Sequence, residues 1–163
     1  PAVAKCKNLQ LNTLVIDKKQ YSETENRNKN ILSAIYESNA DLVILAGWVH
    51  LLPIPKNLEG KVLNIHPSLL PEYGGKGFYG KKVHEAVFRD SKRTSGCTVH
   101  FASQEYDKGP IVLQTPVTIS AQDTPKMIAE KVFEAETRSY PEAIKMVLKG
   151  YARYEEGKVV WAI

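Results

Sequence analysis

The sequence predicts an α/β protein with an open, mostly parallel, twisted sheet that carries helices on both faces. Short apolar runs of strand length alternate with a longer segment whose apolar residues recur at helical spacing. One of the runs, Leu42–Ala46, is continuously apolar, as strands buried on both faces of a parallel sheet are. The chain has 163 residues, of which 43% are hydrophobic and 25% charged, so we expect a single globular domain over residues 1–163.

The N-terminal part of the chain predicts one strand followed by one helix. A β-type run extends from Asn12 to Ile16 and ends in a polar turn. Ser22 and Glu25 then fit a capping box, and apolar residues follow at helical spacing. These signals predict an amphipathic helix over about residues 23–39.

Two buried strands come next, and polar side chains stand at the end of the second. The strands are predicted at Leu42–Ala46 and Lys61–Ile65. Asn64 and His66 are separated by one residue, so they should share a face of the strand. An amide can donate to a developing oxyanion, and an imidazole titrates near neutral pH. At the carboxyl end of a parallel strand, the pair could polarise a carbonyl and move a proton.

A glycine-rich stretch follows, with glycines at positions 74, 75, 77 and 80. Glycines tolerate positive φ angles and allow a segment to move. Lys76, within this stretch, either touches a phosphate or belongs to a lid that makes no direct ligand contact, and the sequence favours neither interpretation.

The C-terminal half predicts two helical regions and three strands. A short helix is expected around residues 83–87, and strands are expected at Cys97–Phe101 and Ile111–Gln114, joined across a turn at Asp107–Pro110.

A longer helix should begin at Thr124, which is followed by a proline at the first helical position. Pro141 should kink or end that helix before a second helical segment. Gly150 is a plausible stop, and Val159–Ile163 could form an edge strand.

Composition excludes several classes of protein. No run of about 18 apolar residues predicts a membrane span, and no basic-then-apolar stretch resembles a secretion signal, so we expect a cytoplasmic location. Cys6 and Cys97 lie far apart and are interpreted as reduced thiols. The net charge is +4, but the basic residues are scattered, so we predict no nucleic-acid partner and no membrane partner.

The segment Asn64–Pro71 closely resembles the signature of the folate-dependent formyltransferases. The following Tyr73–Gly80 resembles the branch of that family that acts on glycinamide ribonucleotide. The resemblance covers about residues 2–150 and includes Thr98–Phe101 and Tyr106–Pro110. It implies the formyltransferase fold. Members of the family begin with a strand, a phosphate-binding loop and a helix, so the domain is expected to be N-terminally incomplete.

The resemblance also implies a reaction. A formyl group would pass from 10-formyltetrahydrofolate, used as a co-substrate, to the amine of glycinamide ribonucleotide in de novo purine biosynthesis, without a metal. Asn64 would stabilise the oxyanion, His66 would carry the proton, and Asp107 would orient His66. Without the resemblance, Asp107 would be only a turn residue.

Further residues are carried over by position. The segment 45–52 would bind the pterin through backbone groups, although Trp48 and Leu52 could instead belong to the core. His100 could equally be a satisfied core residue, and Glu136 a solvated residue on a helix. The candidate folate-binding residues are Leu45, Trp48, His50, Leu51, Leu52, Asn64 and Tyr106, and the candidate substrate-binding residues are Glu136, Pro67 and His100.

Two alternatives stay open. A related formyltransferase or hydrolase could use another acceptor, namely methionyl-tRNA, an amino-sugar nucleotide or water. The chain could also be a noncatalytic fragment that binds folate. A monomer and a homodimer are both compatible with the sequence.

Overall fold

The computed structural model describes residues 2–17, 21 and 23–162, and the chain divides into two compact units, residues 1–40 and 41–163. The first unit contains helices α1 (Ala2–Asn8) and α2 (Thr24–Ser38). Helix α2 confirms the helix predicted over residues 23–39. Its N-cap is Glu23, whose side chain makes no capping hydrogen bond, and Ser22 of the predicted capping box lies outside the described residues.

The strand predicted at Asn12–Ile16 is wrong. The segment has no regular structure, and four of its five residues are exposed. A strand needs a neighbour that satisfies its N–H and C=O groups, and no described strand pairs with this one. Helix α1 was not predicted because its seven residues are too few to show an apolar periodicity, and none of them is buried.

A four-stranded sheet is the centre of the second unit. Its strands, in spatial order, are β1 (Val43–Leu45), β2 (Val62–His66), β3 (Thr94–Phe101) and β4 (Ile111–Thr118). Strands β1 and β2 are parallel, whereas β2 pairs with β3, and β3 with β4, in antiparallel fashion. The α/β class is therefore confirmed, but the described sheet is mixed rather than mostly parallel. The β3–β4 connection is too short for the helical crossover that parallel strands require.

Strands β3 and β4 are both longer than predicted. A glycine in β3 and a proline in β4 lie just outside the predicted bounds, and these residue types commonly mark the end of a strand. Gly96 stands directly opposite Pro116 across the pair. A Cβ atom at Gly96 would lie 2.2 Å from the carbonyl oxygen of Thr115, so only glycine permits this close approach. Strand β4 is at the edge of the sheet, where a proline is tolerated.

Helices α3 (Lys81–Arg89) and α4 (Pro125–Leu148) complete the unit, together with a 3₁₀ turn at Lys56–Leu58. Thr124 caps α4 as predicted, since its hydroxyl accepts the N–H of Met127 at 3.3 Å. The helix does not end at Pro141, which lies inside it. A proline inside a helix costs about 3 kcal/mol, and buried residues on both sides of Pro141 anchor the helix in the core.

Helix α4 packs against β2, β3 and β4 and determines how the strand ends are held. Its Tyr140 is buried, and the hydroxyl lies 3.0 Å from the carbonyl oxygen of Leu45 and 2.9 Å from that of Leu63. The end of β1 and the first half of β2 are therefore bonded to one side chain. The core around it contains Leu63, Val99, Phe101, Val112, Tyr140, Ala143 and Ala152.

The chain ends in a hairpin. Gly150 has a φ of +73° and follows the end of α4, as predicted. Strands β5 (Ala152–Glu155) and β6 (Lys158–Trp161) pair with each other as a separate antiparallel sheet, so the edge strand predicted at Val159–Ile163 is not part of the main sheet. Ile163 lies outside the described residues. Within the described part of the chain, no helix combines the length and apolarity needed to cross a bilayer.

Candidate active site

The register between β2 and β3 brings Asn64 and His100 together. The two residues are direct partners, and Nδ2 of Asn64 lies 3.1 Å from Nε2 of His100. The other ring nitrogen, Nδ1, lies 2.9 Å from the carbonyl oxygen of Phe101. A carbonyl only accepts, so Nδ1 carries the proton and Nε2 of the neutral ring accepts from the amide. The amide keeps a second N–H, and its Oδ1 is buried without a partner among the described residues.

Asp107 connects two histidines at this end of the sheet. It lies in the loop between β3 and β4, where its φ of +56° is in the left-handed region. Its Oδ2 is 3.4 Å from Nδ1 of His66, and its Oδ1 is 3.6 Å from Nε2 of His100. The backbone N–H of Gly75, in the glycine-rich stretch, donates to Oδ2 at 2.8 Å. The carboxylate is thus bonded to the Gly75 N–H and faces one ring nitrogen of each histidine.

His66 is buried behind Asp107. Its exposed fraction is 4%, and its Nε2 lies 2.7 Å from the carbonyl oxygen of Tyr73. By the same argument Nε2 carries the proton of the neutral ring, and Nδ1 faces the carboxylate. Nδ1 is therefore the atom that can accept a further proton.

The electrostatics of the pair follow from this burial. Burial lowers the pKa of His66, although Asp107 and the Tyr73 carbonyl act in the opposite direction. Burial alone would raise the pKa of Asp107, but the two histidines and the Gly75 N–H outweigh it, and the pKa of that carboxyl is lowered. At neutral pH, a neutral imidazole therefore lies beside an ionised carboxylate. A proton taken up by this pair would be stabilised by the negative charge.

A cavity opens in front of these groups, between two loop walls. One wall is the segment after β1, and the other is the loop after β3. The lining residues are Leu45, Trp48, His50, Leu51, Leu52, Asn64, His100, Ala102, Ser103, Glu105, Tyr106 and Asp107. All seven candidate folate-binding residues are among them. Ala102, Ser103 and Glu105 were missed, although their position just before Asp107 in one loop could have indicated them.

Three predicted site residues do not line this cavity, namely His66, Pro67 and Glu136. His66 approaches it only through Asp107. Glu136 lies half-buried on α4, where burial raises the pKa of its carboxyl, and it has no hydrogen-bonding or ionic partner in the described part of the chain. The contact between Gly75 and Asp107 could not be predicted from residue types, because the donor is a backbone N–H, which nearly every residue has.

An amide, two imidazoles and a carboxylate, grouped on two neighbouring strands and the loop that follows them, are side chains that can stabilise an oxyanion and move a proton. The comparison with known families is more specific. The chain belongs to the formyl transferase family, whose model matches residues 3–144.

Curated relatives carry names from purine biosynthesis. The chain is 40% identical over 152 residues to the trifunctional purine biosynthetic protein adenosine-3 of Gallus gallus, covering 91% of this chain and 15% of that protein. It is 38% identical to the chloroplastic phosphoribosylglycinamide formyltransferase of Arabidopsis thaliana, covering 79% of this chain and 45% of that protein. With the phosphoribosylglycinamide formyltransferase of Haemophilus influenzae, the identity is 32%, covering 94% of this chain and 71% of that protein. The chain thus spans less than half the length of the first two relatives.

Solved structures agree with the fold. Glycinamide ribonucleotide transformylase 1 from Symbiobacterium toebii superimposes with a TM-score of 0.86 at 28% identity, covering 98% of this chain and 74% of that chain. Phosphoribosylglycinamide formyltransferase from Anaplasma phagocytophilum gives a TM-score of 0.84 at 28% identity, covering 99% of this chain and 76% of that chain.

Proposed function

We propose that this protein transfers the formyl group of 10-formyltetrahydrofolate to the amine of glycinamide ribonucleotide. The observation that carries the proposal is the position of Asp107, which faces His66 on one side and His100, bonded to Asn64, on the other. Formyl transfer needs an oxyanion donor and a proton carrier, and both are present in this cluster. The names of the relatives support the choice of substrates.

The cavity suits a reduced folate. Its walls offer the apolar side chains of Leu45, Leu52 and Trp48 to a ring system, together with the backbone of two loops for polar contacts. The Oδ1 of Asn64, which lines this cavity and is buried with no partner among the described residues, is available as an acceptor. These residues would hold the pterin, and the bound folate would supply the activated formyl group.

Asn64 would act on the formyl oxygen. When the amine nitrogen attacks the formyl carbon, a C–N bond forms and negative charge develops on this oxygen. The second N–H of the Asn64 amide is not used by His100 and can donate to it. His100 then acts as the group that holds the amide in place.

The His66–Asp107 pair would carry the proton. The amine loses one proton on attack, and N10 of the folate gains one when its bond to the formyl carbon breaks. Because Asp107 lines the cavity and His66 lies behind it, the proton is passed to the two residues as a unit. Glu136, whose half-buried carboxyl has no ionic partner in the described part of the chain, is a candidate contact for the ribonucleotide.

The test is a formyl transfer assay with the full-length protein. We expect formylated glycinamide ribonucleotide to form from 10-formyltetrahydrofolate, detected by mass spectrometry, and to form much more slowly with an Asn64→Ala variant. Parallel reactions replace the ribonucleotide with water alone, initiator methionyl-tRNA or an amino-sugar nucleotide. Turnover only with one of these acceptors would overturn the proposed substrate, and folate binding without any turnover would identify a noncatalytic folate-binding protein.

A further inference from the structure

We propose that Tyr106 is a positioning residue that holds the segment after β1 in its folate-binding conformation through the backbone of Leu51. The backbone N–H of Leu51 donates to the Tyr106 hydroxyl at 3.0 Å, and 55 residues separate the two in sequence. The identity of the ligand rests on the proposed function, whereas the tie between the two loops does not.

A second contact joins the same two walls. The side-chain amide of Gln104 donates to the carbonyl oxygen of Ile54. Gln104 and Tyr106 belong to one loop, and Leu51 and Ile54 to the other, so the loops are connected at two points. In both contacts the side chain comes from the loop after β3 and the backbone group from the segment after β1. The side chains of one loop therefore hold the backbone of the other.

The tie also reaches the catalytic carboxylate. Tyr106 directly precedes Asp107 in the chain, and both line the cavity. A displacement of Tyr106 would therefore move one folate wall relative to Asp107. Tyr106 is half-buried and lies outside the hydrophobic core, so its hydroxyl can be removed without opening a cavity there.

The interaction changes which backbone groups remain available to a ligand. The phenolic oxygen already occupies the N–H of Leu51, so a bound pterin must find its donors elsewhere in this wall. Leu51 then contributes to binding by where it is held, and Tyr106 controls that position. This differs from a direct contact between the Tyr106 hydroxyl and the folate, and the two roles are separable by experiment.

The experiment compares Tyr106→Phe with wild-type full-length protein in two measurements. Hydrogen exchange of the Leu51 amide should become faster because its acceptor is gone. The dissociation constant for tetrahydrofolate, measured by calorimetric titration, should rise about three- to tenfold, the change that corresponds to one neutral hydrogen bond. Gln104→Met, which removes the second tie, should raise this constant in the same direction. Tyr151→Phe, which removes an exposed hydroxyl outside the cavity, should change neither measurement.

Each alternative outcome is distinct. Unchanged exchange at Leu51 in Tyr106→Phe would overturn the tie, and a weaker tetrahydrofolate affinity with that unchanged exchange would mean that the hydroxyl contacts the folate directly. Faster exchange with an unchanged dissociation constant would overturn the role in binding. A wild-type protein that binds no tetrahydrofolate would refute the proposed function and the folate-positioning role together, whereas wild-type binding that is unaffected by Tyr106→Phe would refute this inference alone.

Discussion

The Oδ2 atom of Asp107 lies 3.4 Å from Nδ1 of His66, and the opposite nitrogen of the same ring is bonded to the carbonyl oxygen of Tyr73. Both nitrogens of this buried imidazole are therefore directed at acceptors. A proton can enter or leave the ring toward the cavity only past Asp107, so the two residues should behave as one titrating unit.

Replacing His66 should abolish most of the activity and leave the fold intact. If His66 carries the proton, His66→Ala should lower kcat/KM for formyl transfer by about two to four orders of magnitude. Asn64→Ala should cost about 3 kcal/mol of transition-state stabilisation, the effect of losing one oxyanion donor. Steady-state kinetics measure both, and the control is unchanged tetrahydrofolate binding by His66→Ala, since His66 does not line the cavity. A near wild-type rate for His66→Ala would end its assignment as the proton carrier.

Combining these two substitutions tests whether they act in one step. If Asn64 and His66 stabilise the same tetrahedral intermediate, the double variant should lose less than the product of the single losses. The comparison requires only kcat/KM for the four proteins of the cycle. Strict multiplicativity would instead assign the two residues to separate steps.

Asp107→Asn should move the acid limb of the pH–rate profile to lower pH. Burial lowers the pKa of His66, and the carboxylate of Asp107 partly offsets this by favouring the charged ring. Removing the carboxylate removes the offset, so the pKa of His66 should fall further. The profile of kcat/KM against pH measures the shift. An acid limb that stays in place in the variant would show that Asp107 does not control this titration.

Acid should destabilise the fold through its buried histidines. Burial lowers the pKa of both His66 and His84, and the charge of His66 lowers the pKa of His84 further. The unfolded chain therefore binds more protons than the folded one below the ordinary histidine pKa of about 6.5, so the free energy of unfolding should decrease as the pH falls through that region. Urea unfolding at several pH values should show a shallower dependence for His84→Gln than for wild type. An equal slope in both proteins would contradict the burial of His84 as the cause.

Tyr140→Phe should destabilise the second unit and loosen the strand ends. The hydroxyl is shared between the carbonyl oxygens of Leu45 and Leu63, and its loss leaves a buried acceptor unsatisfied. The expected cost is about 1–3 kcal/mol in the free energy of unfolding. Denaturant unfolding measures it, with the exposed Tyr151→Phe as a control expected to remain within about 0.5 kcal/mol of wild type. A cost for Tyr140→Phe no larger than that of the control would mean that water replaces the contact.

Local sequence signals determined the elements whose boundaries depend on residues close by in the sequence. The apolar spacing of α2, the Thr124 cap of α4 and the stop at Gly150 all act within a few residues, and the structure confirms them. The same holds for the polar end of β2, where a period of two places Asn64 and His66 on one face. The motif beginning at Asn64 identified the family, which the match over residues 3–144 confirms.

Tertiary structure decided what happens between distant segments. Nothing near residues 12–16 indicates that a run with strand propensity lacks a pairing partner, and nothing near Pro141 indicates that packing holds the helix together. The partner of Asn64 is 36 residues away and depends on the β2–β3 register, while the donor to Asp107 is the backbone of Gly75. Side-chain periodicity is a property of the local backbone, whereas these contacts depend on how loops and strands meet. The composition of a short segment therefore cannot encode them.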